Sequence, residues 1–158
     1  MPVNSRSTAD DTSIDAINAR LLNELHGDPR MSMSELARRV GMSAPAVTER
    51  VQRMESAGII AGFRMDVDPA ALGMPVTALV RVRPGPGQLP KVAQAAKDTP
   101  QVVECHRITG DDCFHLKVHA PSIAALEEVL DRFLLFGQTT SSIVVSTPVP
   151  PRPLPVNE

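Results

Sequence analysis

Between Ser43 and Arg53 the chain sets out a run of side chains with the chemistry to read duplex nucleic acid. Thr48 and Gln52 can hydrogen-bond base edges, and Glu49 can accept from cytosine N4. Arg50 and Arg53, with Arg38 and Arg39 a little upstream, suit phosphates, whose contacts position a protein without reading sequence. Ser43, Ala44 and Pro45 complete the set at the start of the run. A second group lies at Gly110-Asp111-Asp112 and Thr139-Thr140-Ser141. A turn carboxylate and turn backbone could hold the ammonium of an amino acid while the hydroxyls hold its carboxylate; the plain alternative is a solvated loop tip. A third group is Cys105, His106, Cys113, His115 and His119. Cysteine and histidine can hold Zn²⁺ or sense oxidants, but no pair here shows C-x-x-C or H-x-x-x-H spacing. No metal is expected, and the cysteines read as small apolar residues.

The first group needs a helix that shows one face to DNA. Ile14, Ile17, Leu21, Leu22 and Leu25 recur at helical spacing, and Gly27-Asp28-Pro29 stops the run. Ser32 to Glu35 fits a capping box, opening a second helix with Leu36, Ala37 and Val40 inside. Gly41-Met42-Ser43 is a tight turn. A third helix follows, with Pro45 in its first turn and Val47, Val51 and Met54 on one face. Two helices joined this way form a helix-turn-helix, in which the later helix enters the major groove. Its groove side must lie opposite Val47, Val51 and Met54. A trihelical packing unit without DNA is the competing reading. Ile59-Ile60 begin an extended run that Gly62 could fold into a short hairpin.

The other two groups need a sheet. Val76 to Arg83 reads as a strand, Leu89 to Lys97 as a helix, and Val102 to Ile108 and Cys113 to His119 as a hairpin about Gly110. In a symmetric hairpin His106 faces His115, and Cys113 shares their side. Ser122 caps another helix, and Ile143-Val144-Val145 is the last strand. The order is βαββαβ, a ferredoxin-like arrangement. The expected organisation is a disordered tail at 1–12, a helix-turn-helix domain at 13–64, a linker at 65–75, the ferredoxin-like domain at 76–147, and an extended, mobile Pro-rich tail at 148–158.

Composition narrows the function. A net charge of −2 argues against a non-specific cationic binder, so the basic residues must act locally. The chain has no Trp, no Tyr and four Phe, too few aromatic platforms for single-stranded nucleic acid. No G-x-S-x-G, phosphate loop or H-E-x-x-H marks an enzyme. Two cysteines, the absence of an apolar leader at Met1 and the absence of any apolar run long enough to span a bilayer lead us to expect a soluble, cytoplasmic protein.

Ile14-Asp15, Leu21-Leu22, Arg30-Met31-Ser32, Glu35-Leu36-Ala37, Val40 to Ser43, Val47, Arg50-Val51, Met54 and Gly58-Ile59-Ile60 stand in an order that resembles the Lrp/AsnC, or feast-famine, regulators. Val67-Asp68-Pro69, Leu72-Gly73 and Ala78 carry the resemblance onward. Thr109-Gly110-Asp111 and Leu116-Lys117-Val118 match the family's RAM domain, an effector and assembly module. The resemblance covers about residues 13–147. It implies an α+β chain: a winged helix-turn-helix, then a RAM-type ferredoxin-like domain. It further implies a sequence-specific, non-enzymatic transcription regulator that needs no cofactor. Such a protein dimerises through its C-terminal sheets, assembles in some members into octamers, binds near-palindromic DNA and takes an amino-acid effector. Two departures fall near the effector region. Asp112 and Cys113 replace the aromatic and second acid common in the turn, and Phe136-Gly137-Gln138 replaces Pro-Gly-Val.

Overall fold

The computed structural model describes residues 14–157; the expected tail at 1–12 lies outside them. The chain divides into two compact units. One runs to Met65 and takes in the segment from Pro151 onward; the other is Asp66–Pro150.

The first unit is built on three helices, and each begins where a short polar side chain can accept an orphan backbone N–H. Asp15 opens α1 (Ala16–Gly27), its carboxylate taking the Asn18 N–H at 2.7 Å. Ser32 opens α2 (Met33–Val40), its hydroxyl taking the Glu35 N–H at 3.2 Å. The capping box closes on one side only, because the Glu35 carboxylate turns forward to Arg38 and Arg39. Gly41, at φ 72°, ends α2 in the left-handed conformation that glycine adopts without strain. Ser43 opens α3 (Ala44–Ser56), with Pro45 in the first turn. Leu21, Leu36, Val47 and Met54 are fully or almost fully buried at the centre of the three helices. Each contributes about 1.5–3 kcal/mol by leaving water.

No hairpin follows α3. Residues 59–68 carry no strand, and the reason is where their donors go. The Ile59 and Ile60 N–H groups both bond the Met54 carbonyl, at 2.9 and 3.1 Å, so the helix end takes what a ladder would need.

The second unit opens with a 3-10 turn at Pro69–Leu72. Then come β1 (Val76–Pro84), α4 (Leu89–Lys97), β2 (Val102–Arg107), β3 (Phe114–Ala120), α5 (Ile123–Leu134) and β4 (Gly137–Ile143). The sheet is antiparallel with order β2-β3-β1-β4, the ferredoxin-like arrangement. One face is apolar by strand alternation: Ala78, Val80 and Val82 on β1, and Phe114, Leu116, Val118 and Ala120 on β3, pack with Val92, Leu126, Val129 and Phe133 of the helices. The other face carries Leu79, Arg81, Arg83, His115, Lys117 and His119, and neither helix lies on it.

The last strand lies earlier than Ile143-Val144-Val145. It is Gly137–Ile143, paired to β1 from Pro84↔Gly137 to Ala78↔Ile143. The apolar triplet reads as a strand, but the segment that pairs is an edge strand, where polar Thr and Ser serve as well. Val145 is 95% exposed. Gly137 starts the strand because a Cβ there would run into the Arg83 carbonyl oxygen.

Candidate nucleic-acid interface and carboxylate turn

In α3 the buried side is Val47, Val51 and Met54, and the side opposite shows Pro45, Glu49, Gln52 and Arg53 to solvent. Ser43 is exposed at the cap, and Ala44 and Thr48 are half-buried. The Thr48 hydroxyl donates to the Ala44 carbonyl at 2.8 Å, which leaves its oxygen to accept and its methyl to touch a base. Arg53 lies 3.9 Å from Glu49, an exposed pair worth little and readily exchanged for a phosphate.

The other arginines are not equivalent. Arg38 is bidentate on Glu35, at 2.9 and 2.6 Å, yet its side chain is 74% exposed. Arg39 bridges Glu35 at 3.0 Å and Glu24 at 2.8 Å, tying α2 to α1. The Arg38 hydrogen bonds, then that of Arg39, hold the Glu35 carboxyl down at about 2. Arg50 reaches away from the open face of α3 and bonds Asp15 at 2.8 Å and Asn18 at 3.1 Å. The Asn18 N–H first, and Arg50 next, hold the Asp15 carboxyl below the usual range. Arg39 and Arg50 therefore brace the three-helix unit, and Arg38 and Arg53 are the two of the four whose guanidinium groups lie mostly in water. Sequence reasoning passed over Asp15 and Glu24, the acidic halves of these braces, and read Glu35 only as a capping residue. The i,i+4 spacing of Glu35 and Arg39 was the available signal.

In the second unit Gly110 turns the β2–β3 connection at φ 96°. Asp111 lies 3.3 Å from Arg83, and Asp112 lies 3.3 Å from Arg81 and 3.9 Å from Arg83. Arg81 is also the register partner of Thr140 on β4. The turn carboxylates, two β1 guanidinium groups and Thr140 thus meet at one end of the open sheet face. Thr139 and Ser141 alternate to the other face, Ser141 opposite buried Val80. The expected hydroxyl triple is therefore divided by strand parity. Arg81 and Arg83 were missed, although Val80-Arg81-Val82-Arg83 already put both on one side. Guanidinium beside carboxylate is a zwitterion-binding chemistry, each charge having a partner a ligand can replace.

His106 does face His115 across β2–β3. Cys113 does not share their side. It sits at φ 51°, which breaks the strand alternation, and its side chain packs against the apolar core. Local desolvation raises the Cys105 thiol above its usual value, away from the reactive thiolate. Glu104 lies 3.4 Å from His106 and 3.6 Å from Lys117, and these partners, His106 first, hold its carboxyl low. His119 accepts or donates to the Thr77 hydroxyl at 2.9 Å, and burial, then Lys117, pushes its imidazole down. Among the described residues no three of His, Cys, Asp and Glu gather closely enough to hold a metal ion. No helix among them is long and apolar enough to cross a membrane.

Residues 14–61 match a family model described as winged helix-turn-helix DNA-binding, and residues 77–154 one described as the Lrp/AsnC ligand binding domain. The HTH-type transcriptional regulator LrpC of Bacillus subtilis is 34% identical over 133 residues, 84% of this chain and 92% of its own length. LrpA of Mycobacterium tuberculosis is 35% identical over 138 residues, 85% of this chain and 92% of its own. The solved structure of B. subtilis LrpC matches with a TM-score of 0.81 at 33% identity, covering 85% of this chain and 96% of that one. A feast or famine regulatory protein from M. tuberculosis complexed with L-methionine matches with a TM-score of 0.84 at 32% identity, covering 90% and 99%.

Proposed function

This chain belongs to the Lrp/AsnC family of transcription regulators, and we propose that it reads a near-palindromic duplex site as a homodimer whose grip is set by an amino acid. The family is one of regulators and not of enzymes. The observation that carries the reading is α3, which buries Val47, Val51 and Met54 and turns Glu49, Gln52 and Arg53 outward at the helix-turn-helix position, with Thr48 half-buried beside them. Thr48, Glu49 and Gln52 read base edges. Arg53 and Arg38 take phosphates, and Ser43, Ala44 and Pro45 bring the start of α3 against the backbone. Arg39 and Arg50 act at one remove, by bracing the helices.

The partner surface is the open sheet face. Leu79 lies exposed there among Thr77, Arg81 and the histidines, and a second copy of the same face would cover it isologously. Two readers on one dimer call for half-sites about one helical turn apart. Assembly of dimers into octamers is the next level of the same proposal. The effector is an amino acid, as the L-methionine of the M. tuberculosis relative suggests. Asp111 and Asp112 take its ammonium, and Arg81 or Arg83, with Thr140, its carboxylate. No cofactor is required, and the protein works in the cytoplasm, where its DNA lies. Effector binding shifts the population of dimer arrangements and so changes how many readers engage.

The test is affinity for the DNA upstream of its own coding sequence against scrambled duplex, at physiological salt, with and without each amino acid. A preference of at least ~10³-fold is expected for a specific site. Equal affinity for both duplexes under every amino acid would overturn the reading.

A further inference from the structure

The Pro-rich segment forms neither helix nor strand, but its end is not loose. Among residues 148–157 only Val156 is withdrawn from solvent; Leu154, a larger apolar side chain two positions earlier, is 83% exposed. Val156 packs against the helix-turn-helix core that holds Leu21, Leu22 and Leu25. Its carbonyl accepts a hydrogen bond from Asn23 Nδ2 of α1 at 3.0 Å. Pro153 walls one side of a cavity of about 240 Å³ whose remaining lining includes Leu22, Leu25, His26, Ile60 and Phe63.

The five prolines at 148, 150, 151, 153 and 155 suit this contact. Each fixes φ near the polyproline value and removes a backbone donor, so the segment loses little freedom on docking and leaves few N–H groups to satisfy. One apolar anchor, one bonded carbonyl and a pre-extended backbone are how Pro-rich peptides lie in apolar grooves.

We propose that α1 and the 59–64 run form a peptide groove, and that its occupant is this chain's own 151–157 segment, latched by Val156 and Asn23. The latch covers apolar surface the three-helix unit would otherwise expose. It ties that unit to the rest of the chain at a second point besides Met65. Neither Asn23 nor the cavity lining includes an exposed residue of α3, so the latch acts on the stability of the reader and leaves its base contacts alone.

Four chains test this: full length, Val156→Asp, Leu154→Asp, and one lacking residues 151–158. Amide hydrogen exchange is followed across α1 and 59–64. Val156→Asp and the truncation are expected to speed exchange there about tenfold, the loss of one partly buried aliphatic anchor. Leu154→Asp should leave it unchanged. A labelled Pro151–Asn157 peptide should bind the truncated chain and restore protection. It should bind full-length protein at least ~10-fold more weakly, because the tethered segment sits at an effective concentration near millimolar. Equal exchange in all four chains, or equal responses to Val156→Asp and Leu154→Asp, would overturn the latch. If micromolar unlabelled full-length protein restores protection to isotopically labelled truncated chain, the segment serves a neighbouring copy and the intramolecular latch is wrong.

Discussion

Both units hold arginines against carboxylates, and the two arrangements differ in what the carboxylates are attached to. In the three-helix unit they belong to helices or their caps: Glu24 on α1, Asp15 at its start, Glu35 on α2. Arg39 and Arg50 each tie one helix there to another, and Arg50 keeps only 24% of its side chain exposed while doing so. In the sheet unit the arginines stand on β1 and the carboxylates on a turn, with Asp111 84% exposed. A brace between helices fixes a shape. A pair between a strand and a turn can be opened by an incoming zwitterion at small cost, since exposed pairs contribute about 0–1 kcal/mol. The same chemistry thus serves position in one unit and is available for exchange in the other. The following predictions are chosen to separate those uses.

The largest expected effect comes from disturbing the β1–β4 pairing. Gly137→Ala would push a Cβ into the Arg83 backbone and force β4 away from the strand that carries both arginines. Destabilisation of about 2–3 kcal/mol is expected, as for overpacked sites without room to relax. It should appear in urea unfolding of the sheet unit and cancel the amino-acid response, while α1 to α3 keep their amide protection. A neutral substitution would mean that the β1–β4 edge is not what sets the geometry of the turn cluster.

Next are the outward residues of α3. Gln52→Ala should cost about 1–3 kcal/mol on the specific site and relax base preference at one position. Arg53→Ala should weaken specific and random duplexes alike and lower the salt slope by about 1. Identical patterns from the two would place both on the backbone. Arg50→Ala is the contrasting brace. It should lower the stability of the three-helix unit by about 1 kcal/mol through loss of the Asp15 and Asn18 bonds, with the salt slope unchanged. A lowered slope would move Arg50 to the phosphates.

The arginines also show where sequence reading stops. The three helices, the caps at Ser32 and Ser43, the turn at Gly41 and the βαββαβ order followed from spacing, because a buried stripe and a capping side chain are local facts. Opposition of His106 and His115 followed as well, because Gly110 set a short turn. What spacing could not supply was which arginine had company. Arg50 and Arg53 are neighbours on one helix, and only the approach of Asp15, 35 positions away from Arg50, separates brace from contact. The Thr139-Thr140-Ser141 triple failed as a unit for a related reason. It reads as a loop until pairing with β1 makes it a strand and sends alternate hydroxyls to opposite faces. Cys113 left its expected side because a single left-handed residue shifts parity, and non-glycine residues seldom declare that conformation.

A smaller effect on stability is expected from Asp111→Ala, within about 0.5 kcal/mol, because its pair with Arg83 is exposed. The amino-acid response should nevertheless be lost, with DNA affinity in the absence of effector unchanged. Retention of the full response would remove Asp111 from the effector site and leave Asp112, the less exposed of the two, as the ammonium partner.

The smallest effect is a titration. Glu35 is shared by Arg38 and Arg39, and their hydrogen bonds hold its carboxyl at about 2 against an ordinary 4.5. A carboxyl whose folded value is depressed contributes stability above its unfolded value. That contribution is lost as pH falls from about 4.5 through about 2, when the unfolded chain takes up the proton first. Glu35 lies at the surface, partly covered by its two arginines, so the change in unfolding free energy should be slight and should shrink further with added salt. NMR of the Glu35 side-chain carbonyl should give a midpoint near 2, and Arg39→Ala should raise it part of the way towards 4.5 because Arg38 remains. A midpoint already near 4.5 in the unmodified chain would mean the two arginines are not held at α2, and Arg39 would then join Arg38 and Arg53 as a free phosphate ligand instead of a brace.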